Sequence, residues 1–181
     1  VASLGESQGL AHALNTGFRL ATHPYIARMD SDDLSLPRRL VDEIAYLDAH
    51  PDTAMVAGRA LLMDEAGHVN GTMIGTRASS DVRAALLWRN QIVHPSVMIR
   101  KSCFDAVHWY NENLATMEDL DLWLRLGTVG EIAVLDEVML RYRVHDSQMS
   151  RRAGWRGRHI SEIRKSRIGL AAELGVPRVA A

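Results

Sequence analysis

The strongest constraint on this chain is the segment over residues 25–40, where a short apolar run leads into an acidic turn and then a proline-initiated amphipathic helix. The turn carries Asp30, Asp32 and Asp33. Open α/β sheets bind ligands just beyond the carboxyl ends of their strands, which is where this turn would lie. Carboxylates so placed can hold Mg²⁺ or Mn²⁺, hard cations that take oxygen ligands. A polar loop with a helix N-cap is the alternative, because Asp and Ser are common before helices.

Composition and charge narrow the class of protein. The chain has 181 residues, of which 47% are hydrophobic, as expected of one globular domain. No apolar run approaches the roughly 18 residues of a membrane span, which predicts a soluble chain. With 21 basic and 22 acidic residues the net charge is −1, so general binding to nucleic acid is not expected. The single cysteine, Cys103, excludes an internal disulfide and argues against a cysteine zinc site.

Hydrophobic periodicity predicts alternating helices and strands. Helical spacing occurs over residues 8–22, 37–50, 79–88, 101–107 and 116–126. Strands are predicted over residues 25–29, 53–63, 69–74, 92–99, 132–135 and 139–144. This alternation favours an α/β layered domain with one inserted hairpin.

Local details extend this prediction. The helix over residues 37–50 has one apolar face, formed by Leu40, Val41, Ile44 and Leu47. Pro95 favours an edge or bulged position for the strand over residues 92–99. Asn15, on the first helix, is predicted to hydrogen-bond the strand that precedes the acidic turn.

The two ends of the chain differ in character. Residues 1–24 predict neither the buried strand nor the nucleotide-binding turn that normally opens a doubly wound sheet, so we expect a fragment. Basic residues are concentrated near the other end, at Arg141, Arg143, Arg151, Arg152, Arg156, Arg158, Arg164, Lys165 and Arg167. They predict a basic helical tail over residues 151–181, either a solvated face or a surface that meets anionic lipid or diphosphate.

Four ordered blocks resemble the family 2 inverting glycosyltransferases, which have the GT-A fold and use nucleotide-diphosphate sugars. The blocks are GLAHALNTG at 9–17, ARMDSDDLSLPRRL at 27–40, HPSVMIR at 94–100 and EDLDLWLRL at 118–126. Their combined order is far more specific than an isolated Asp-x-Asp. The resemblance implies a GT-A-like (Rossmann-like) layered α/β catalytic domain with a mixed sheet over residues 1–150, lacking the first nucleotide-binding strands.

The resemblance implies metal and catalytic roles for four carboxylates and one histidine. It places Asp30 and Asp32 in the Asp-x-Asp position, where a divalent cation bridges the donor diphosphate, and offers His145 as a third ligand or diphosphate contact. It places the general base that deprotonates the acceptor hydroxyl at Asp119, beside Glu118. The alternative for this pair is helix capping, because the four residues from Thr116 to Asp119 have capping-box spacing.

Substrate-binding roles follow from the same resemblance. On the donor side are Asp33, Arg28 and Arg143, together with Arg151 and Arg152. Arg28 could instead pair with the acidic turn, and Arg143 could serve only solubility. On the acceptor side are His94, for which a buried structural histidine is the alternative, and Trp123, which is either core or a sugar platform.

The function implied is transfer of a sugar, with inversion and with Mg²⁺ or Mn²⁺, from a nucleotide-diphosphate donor to a hydroxyl of a saccharide or lipid-linked acceptor. Polysaccharide synthesis in the cytoplasm, with peripheral contact at the inner membrane face, fits that chemistry. Two alternatives remain open at this point. One is a truncated sugar-binding or partner-binding domain without turnover, and the other is a metal-dependent phosphotransferase or hydrolase.

Overall fold

A mixed β-sheet organises the fold. The computed structural model describes residues 8–75, 82–146, 148 and 159–176. The strands are β1 (Tyr25–Ala27), β2 (Leu34–Ser35), β3 (Thr53–Met63), β4 (Val69–Ile74), β5 (Met98–Arg100) and β6 (Glu131–Arg143). Their order is β1-β5-β3-β6-β2, and β4 pairs with β3 outside this path. The predicted α/β class with a mixed sheet is therefore confirmed.

The centre of the sheet is the parallel pair of β3 and β6. Ala57 pairs with Val134 and Arg59 pairs with Val138, so residues 135–137 bulge outward opposite Gly58. A Cβ at Gly58 would lie 2.0 Å from the Met139 Cγ, so only glycine fits this approach. The two strands predicted over residues 132–135 and 139–144 are thus one strand, because the bulge absorbs the polar interruption.

The position of β5 differs from the prediction. It lies between β1 and β3 rather than at an edge. Pro95 is accommodated in a 3₁₀ turn, His94–Ser96, that precedes the strand, so its missing N–H removes no ladder bond. The predicted strand over residues 92–99 is correspondingly reduced to three residues.

Helices flank the sheet. They are α1 (Leu10–Leu20), α2 (Arg39–Ala49), α3 (Val82–Leu86), α4 (Lys101–Ala106), α5 (Glu118–Leu126) and α6 (Ile160–Glu173). The start of the predicted helix over residues 79–88 lies outside the described residues, as do Arg151, Arg152, Arg156 and Arg158. None of the helices in the described part of the chain is long and apolar enough to cross a membrane.

The buried face of α2 is not the predicted apolar one. Leu40, Val41 and Ile44 are 50%, 62% and 39% exposed, and of the four predicted residues only Leu47 is buried. Arg39 and Glu43 occupy the inward row with Leu47. The prediction of the buried face failed because apolar periodicity treats Arg39 and Glu43 as surface residues, whereas the two pair inside the fold.

The main core joins α1, α5, α6 and one face of the sheet. Phe18 stacks on Phe104 with ring centroids 4.2 Å apart. Leu170 packs against Gly127, and the Ser166 hydroxyl donates to Asp121 Oδ1 over 2.6 Å, which fastens α6 to α5. This core fixes the position of α5, whose first turn carries Glu118 and Asp119.

Candidate active site

The acidic turn is anchored at both ends to the sheet. It begins after β1, where the Arg28 N–H donates to the Val97 carbonyl over 3.0 Å. At its other end, the Arg143 N–H donates to Asp33 Oδ1 and the Arg143 Nε donates to the Asp32 carbonyl, both over 2.8 Å. The turn therefore has a defined conformation before any ligand binds.

Asp33 is the buried member of the turn, at 5% exposure. Burial raises its pKa to about 6, with the charges of Asp30 and Asp32 acting in the same direction and the Arg143 N–H opposing them. Its Oδ2 atom is buried and has no hydrogen-bond partner among the described residues. Such an oxygen is costly to leave unpaired and is a candidate for contact with a ligand.

Arg28 forms a short bidentate ion pair with Asp30. Its Nη2 lies 2.6 Å from Asp30 Oδ1, and its Nη1 lies 2.8 Å from Asp30 Oδ2. The guanidinium is 4% exposed, whereas the Asp30 side chain is 37% exposed. The carboxylate pairing considered in the sequence is therefore present, and the open side of Asp30 leaves the pair within reach of a ligand.

Asp32 meets His145 across the mouth of the turn, with Asp32 Oδ2 and His145 Nε2 2.9 Å apart. The predicted three-ligand set is not assembled, because Asp30 is paired with Arg28. Across the residues that the structure describes, no three His, Cys, Asp or Glu side chains converge in a metal-binding group. Two predicted ligands, Asp32 and His145, are in contact with each other.

The first turn of α5 presents Glu118 and Asp119. The capping-box alternative is wrong, since the N-cap is Met117, with φ 62°, and no side-chain cap bond forms. The Thr116 hydroxyl that would form the cap is buried without a partner among the described residues. Burial raises the pKa of both Glu118 and Asp119.

Asp119 is held by two donors. Its Oδ2 accepts from Asn90 Nδ2 over 2.8 Å, and its Oδ1 accepts from the Leu120 N–H over 2.7 Å. Burial raises the pKa of Asp119, and this effect outweighs the hydrogen bonds and the positive charge of Arg28, which act to lower it. The result is an oriented carboxylate with an increased affinity for a proton, as a general base requires.

His94 opens the 3₁₀ turn that precedes β5. Its Nε2 is 2.8 Å from the Tyr110 hydroxyl. Burial, helped by the charge of Arg28, holds the pKa of His94 well below its usual value, so the ring is neutral. Burial likewise raises the pKa of Tyr110, so its hydroxyl stays protonated. The structural alternative for His94 is thus favoured, because the half-buried ring is engaged by Tyr110, although the charge of Arg28 also acts on it.

Three sequence-based assignments need correction. Trp123 is fully buried in the core and presents no face on which a sugar could stack. The Arg143 guanidinium donates to the carbonyls of Asp32, Asp64 and Glu65, so it braces the turn rather than extending towards a donor. Asn15 exchanges hydrogen bonds with the backbone of Tyr110, not with β1.

The buried side chain of Arg39 supports the backbone at the start of the acidic turn. Arg39 Nη2 donates to the carbonyls of Arg28 and Val97 over 2.7 and 3.3 Å, while its Nε is 3.3 Å from both oxygens of Glu43. Burial outweighs this pairing and raises the pKa of Glu43 to about 7. Sequence reasoning missed the structural roles of Arg39, Asn90 and Tyr110. The available signal was the Arg39–Glu43 spacing of four on a predicted helix.

Residues 1–105, more than half of the chain, match the family described as Glycosyl transferase family 2. The chain therefore belongs to the family 2 glycosyltransferases, as its sequence blocks predicted.

Named relatives agree with this assignment. The amylovoran biosynthesis glycosyltransferase AmsE of Erwinia amylovora is 31% identical over 94% of this chain and 64% of its own length. The putative glycosyltransferase EpsE of Bacillus subtilis is 33% identical over 80% of this chain and 52% of its own. The O-antigen biosynthesis glycosyltransferase WbnJ of Escherichia coli is also 33% identical, over 80% and 57%. This chain thus spans between about half and two thirds of these relatives.

Solved structures confirm the GT-A-like fold. The crystal structure of S. aureus TarS 1–349 in complex with UDP-GlcNAc superposes with a TM-score of 0.72 at 17% identity. The match covers 99% of this chain and 51% of that one. At this identity the likeness defines the fold, and the site must be argued from the residues themselves.

Proposed function

We propose that this chain carries the catalytic part of an inverting glycosyltransferase that moves a sugar from a nucleotide-diphosphate donor to an acceptor hydroxyl. The observation that carries the proposal is the position of Arg28. Its charge acts on Asp33 in the acidic turn and also on His94, Glu118 and Asp119. The acidic turn and the candidate base are therefore both within electrostatic reach of this guanidinium.

Asp119 would accept the proton of the acceptor hydroxyl. The acceptor oxygen forms its bond to the anomeric carbon as the bond from that carbon to the diphosphate breaks on the opposite face. This single displacement inverts the anomeric configuration. The raised pKa of Asp119 and its fixed orientation support this role.

Arg28 and the acidic turn would hold the donor diphosphate. Asp32, in contact with His145, offers a carboxylate of the kind that suits Mn²⁺ or Mg²⁺. A bound cation would neutralise charge on the departing diphosphate. The Arg28 guanidinium, adjacent to the turn, would add a fixed positive charge at the same place.

The acceptor proposed is a growing saccharide or a lipid-linked saccharide. Support comes from relatives whose names place them in amylovoran and O-antigen biosynthesis. The donor class is supported by the UDP-GlcNAc complex of TarS, whose fold this chain shares. A cytoplasmic location at the inner membrane face, where nucleotide sugars meet lipid-linked acceptors, belongs to the same proposal.

The test compares wild-type protein with Asp119→Asn and Asp32→Asn variants, using a panel of nucleotide-diphosphate sugars with lipid-linked saccharide acceptors. We expect Asp119→Asn to bind donor but lose transfer by at least about 100-fold, the low end for a general base. Asp32→Asn should lose Mn²⁺-dependent donor binding in calorimetry. Near-normal transfer by Asp119→Asn would remove it as the base, and a product that retains the donor configuration would exclude the single displacement.

A further inference from the structure

Asn90 lies on the segment between α3 and the 3₁₀ turn, and its side-chain amide is fixed at both ends. Its Oδ1 accepts from the Ile92 N–H over 3.1 Å. Its Nδ2 donates to Asp119 Oδ2 over 2.8 Å. The backbone bond orients the amide, because the oxygen is committed to Ile92 and the NH₂ group must then face the carboxylate.

The contact is directed at one oxygen of one carboxylate. Asp119 Oδ1 accepts from the Leu120 N–H within its own helix. The hydrogen bond at Oδ2 therefore completes the orientation of the carboxylate about its Cβ–Cγ bond. The other titratable groups coupled to this site are Arg28, Glu118 and Tyr110, and Asp30 acts on Glu118. The structure gives Arg28 a direct ion pair with Asp30 and gives Asn90 the direct hydrogen bond to Asp119.

We infer that Asn90 is a positioning residue that orients Asp119 towards the acceptor hydroxyl and favours its ionised form. The inference rests on the proposed role of Asp119 as general base. Asn90 acts through Asp119 and needs no contact with substrate. It assigns a function to a residue on an exposed loop, outside the helix that carries the base.

The first experiment needs no substrate. The ionisation of Asp119 is followed by NMR of protein labelled with ¹³C at aspartate carboxyl groups, and its signal is assigned by its loss in Asp119→Asn. Asn90→Ala removes the donor, and Asn90→Asp keeps the acceptor for Ile92 but places a like charge at Asp119. We expect the pKa of Asp119 to rise in the order wild type, Asn90→Ala, Asn90→Asp, with the first step about one unit.

Asn70→Ala is the matched control. Asn70 Oδ1 accepts from the Thr72 N–H over 2.9 Å, the same local turn bond that Asn90 makes to Ile92. This variant loses an equivalent turn bond on β4. We expect it to leave the Asp119 ionisation unchanged. An Asn90→Ala shift no larger than that of Asn70→Ala would overturn the inference.

The second readout is the pH profile of transfer, which loss of a merely structural contact would not move. The acidic limb of kcat/KM should shift upward by the same amount as the pKa in each Asn90 variant, with activity recovered at higher pH. If the acidic limb does not shift while Asp119→Asn is inactive, the role of Asn90 is contradicted and Asp119 remains the proposed base. If Asp119→Asn itself transferred sugar normally, the proposed base would fail, whatever Asn90 does to the carboxylate.

Discussion

Two arginine–carboxylate pairs lie on the same short stretch of chain but differ in the exposure of their carboxylates. Arg28 and Asp30 form one pair, whose carboxylate is 37% exposed. Arg39 and Glu43 form the other, with side chains only 1% and 0% exposed. The Arg39 guanidinium also binds the Arg28 carbonyl, so the buried pair holds the open one. The difference separates a pair that supports the fold from a pair that a ligand can reach.

Removing the buried arginine should have the largest effect on stability. Arg39→Met leaves Glu43 without its partner inside the fold, for which we expect a loss of about 3–5 kcal/mol in the free energy of unfolding. Denaturant titration measures it. The double variant Arg39→Met with Glu43→Met should recover most of the loss, because replacing both partners of a buried pair by apolar groups is often near neutral. A single variant as stable as wild type would contradict this picture.

Removing Arg28, whose partner Asp30 is exposed to solvent, should separate activity from stability. Arg28→Met leaves Asp30 free to take water on its exposed side, so the loss of stability should be well below that of Arg39→Met. Transfer should fall by about 10²–10³-fold, the usual cost of deleting a preorganised charge near a leaving group. A transfer assay that follows release of the nucleotide diphosphate checks the activity. Denaturant titration of the same samples checks the stability. Equal losses of stability in the two arginine variants would erase the distinction.

The fold was largely predictable, and the cause of each error is physical. The hairpin strands β3 and β4 were predicted to the residue, because a largely apolar run over residues 53–63 ends at a strong turn signal at residues 64–68. The inward face of α2 was mispredicted, because periodicity treats Arg39 and Glu43 as surface residues and cannot show that they pair.

The site was predictable in part for a related reason. The acidic turn and the first turn of α5 carry recognisable blocks, so their residues could be named from the sequence. Asn90 contacts Asp119 and Tyr110 contacts His94 from outside these blocks, and a lone Asn or Tyr has no motif. Trp123 was ambiguous because an aromatic residue suits both a core and a sugar platform, and only its burial decides between them.

The buried pair should also give stability a pH dependence. Glu43 holds its proton more tightly in the folded state, with a pKa of about 7 against an ordinary 4.5. Between these pH values the folded state binds more protons than the unfolded state, so the free energy of unfolding should fall as pH rises. The limit is about 1.4 kcal/mol per pH unit for one group.

Glu43→Gln should remove most of this slope between pH 6 and 7. A weaker decline should remain below pH 6, where Asp33, with a pKa raised to about 6, titrates in the same direction. Denaturant titrations from pH 4.5 to 7.5 on both proteins make the comparison. An unfolding free energy that rises with pH in the wild type would show that the ion pair with Arg39 outweighs burial, contrary to the expectation here.

The smallest effect is expected at an exposed pair on the same helix. Arg38 and Asp42 have the same spacing of four as Arg39 and Glu43, with Arg38 Nη2 and Asp42 Oδ1 2.6 Å apart, but Arg38 is 80% exposed. Arg38→Met should change the free energy of unfolding by less than about 0.5 kcal/mol, because water screens the pair. It is therefore the matched control for Arg39→Met, one residue along and facing outward. A loss comparable to that of Arg39→Met would mean that helix spacing, rather than burial, determines the value of these pairs.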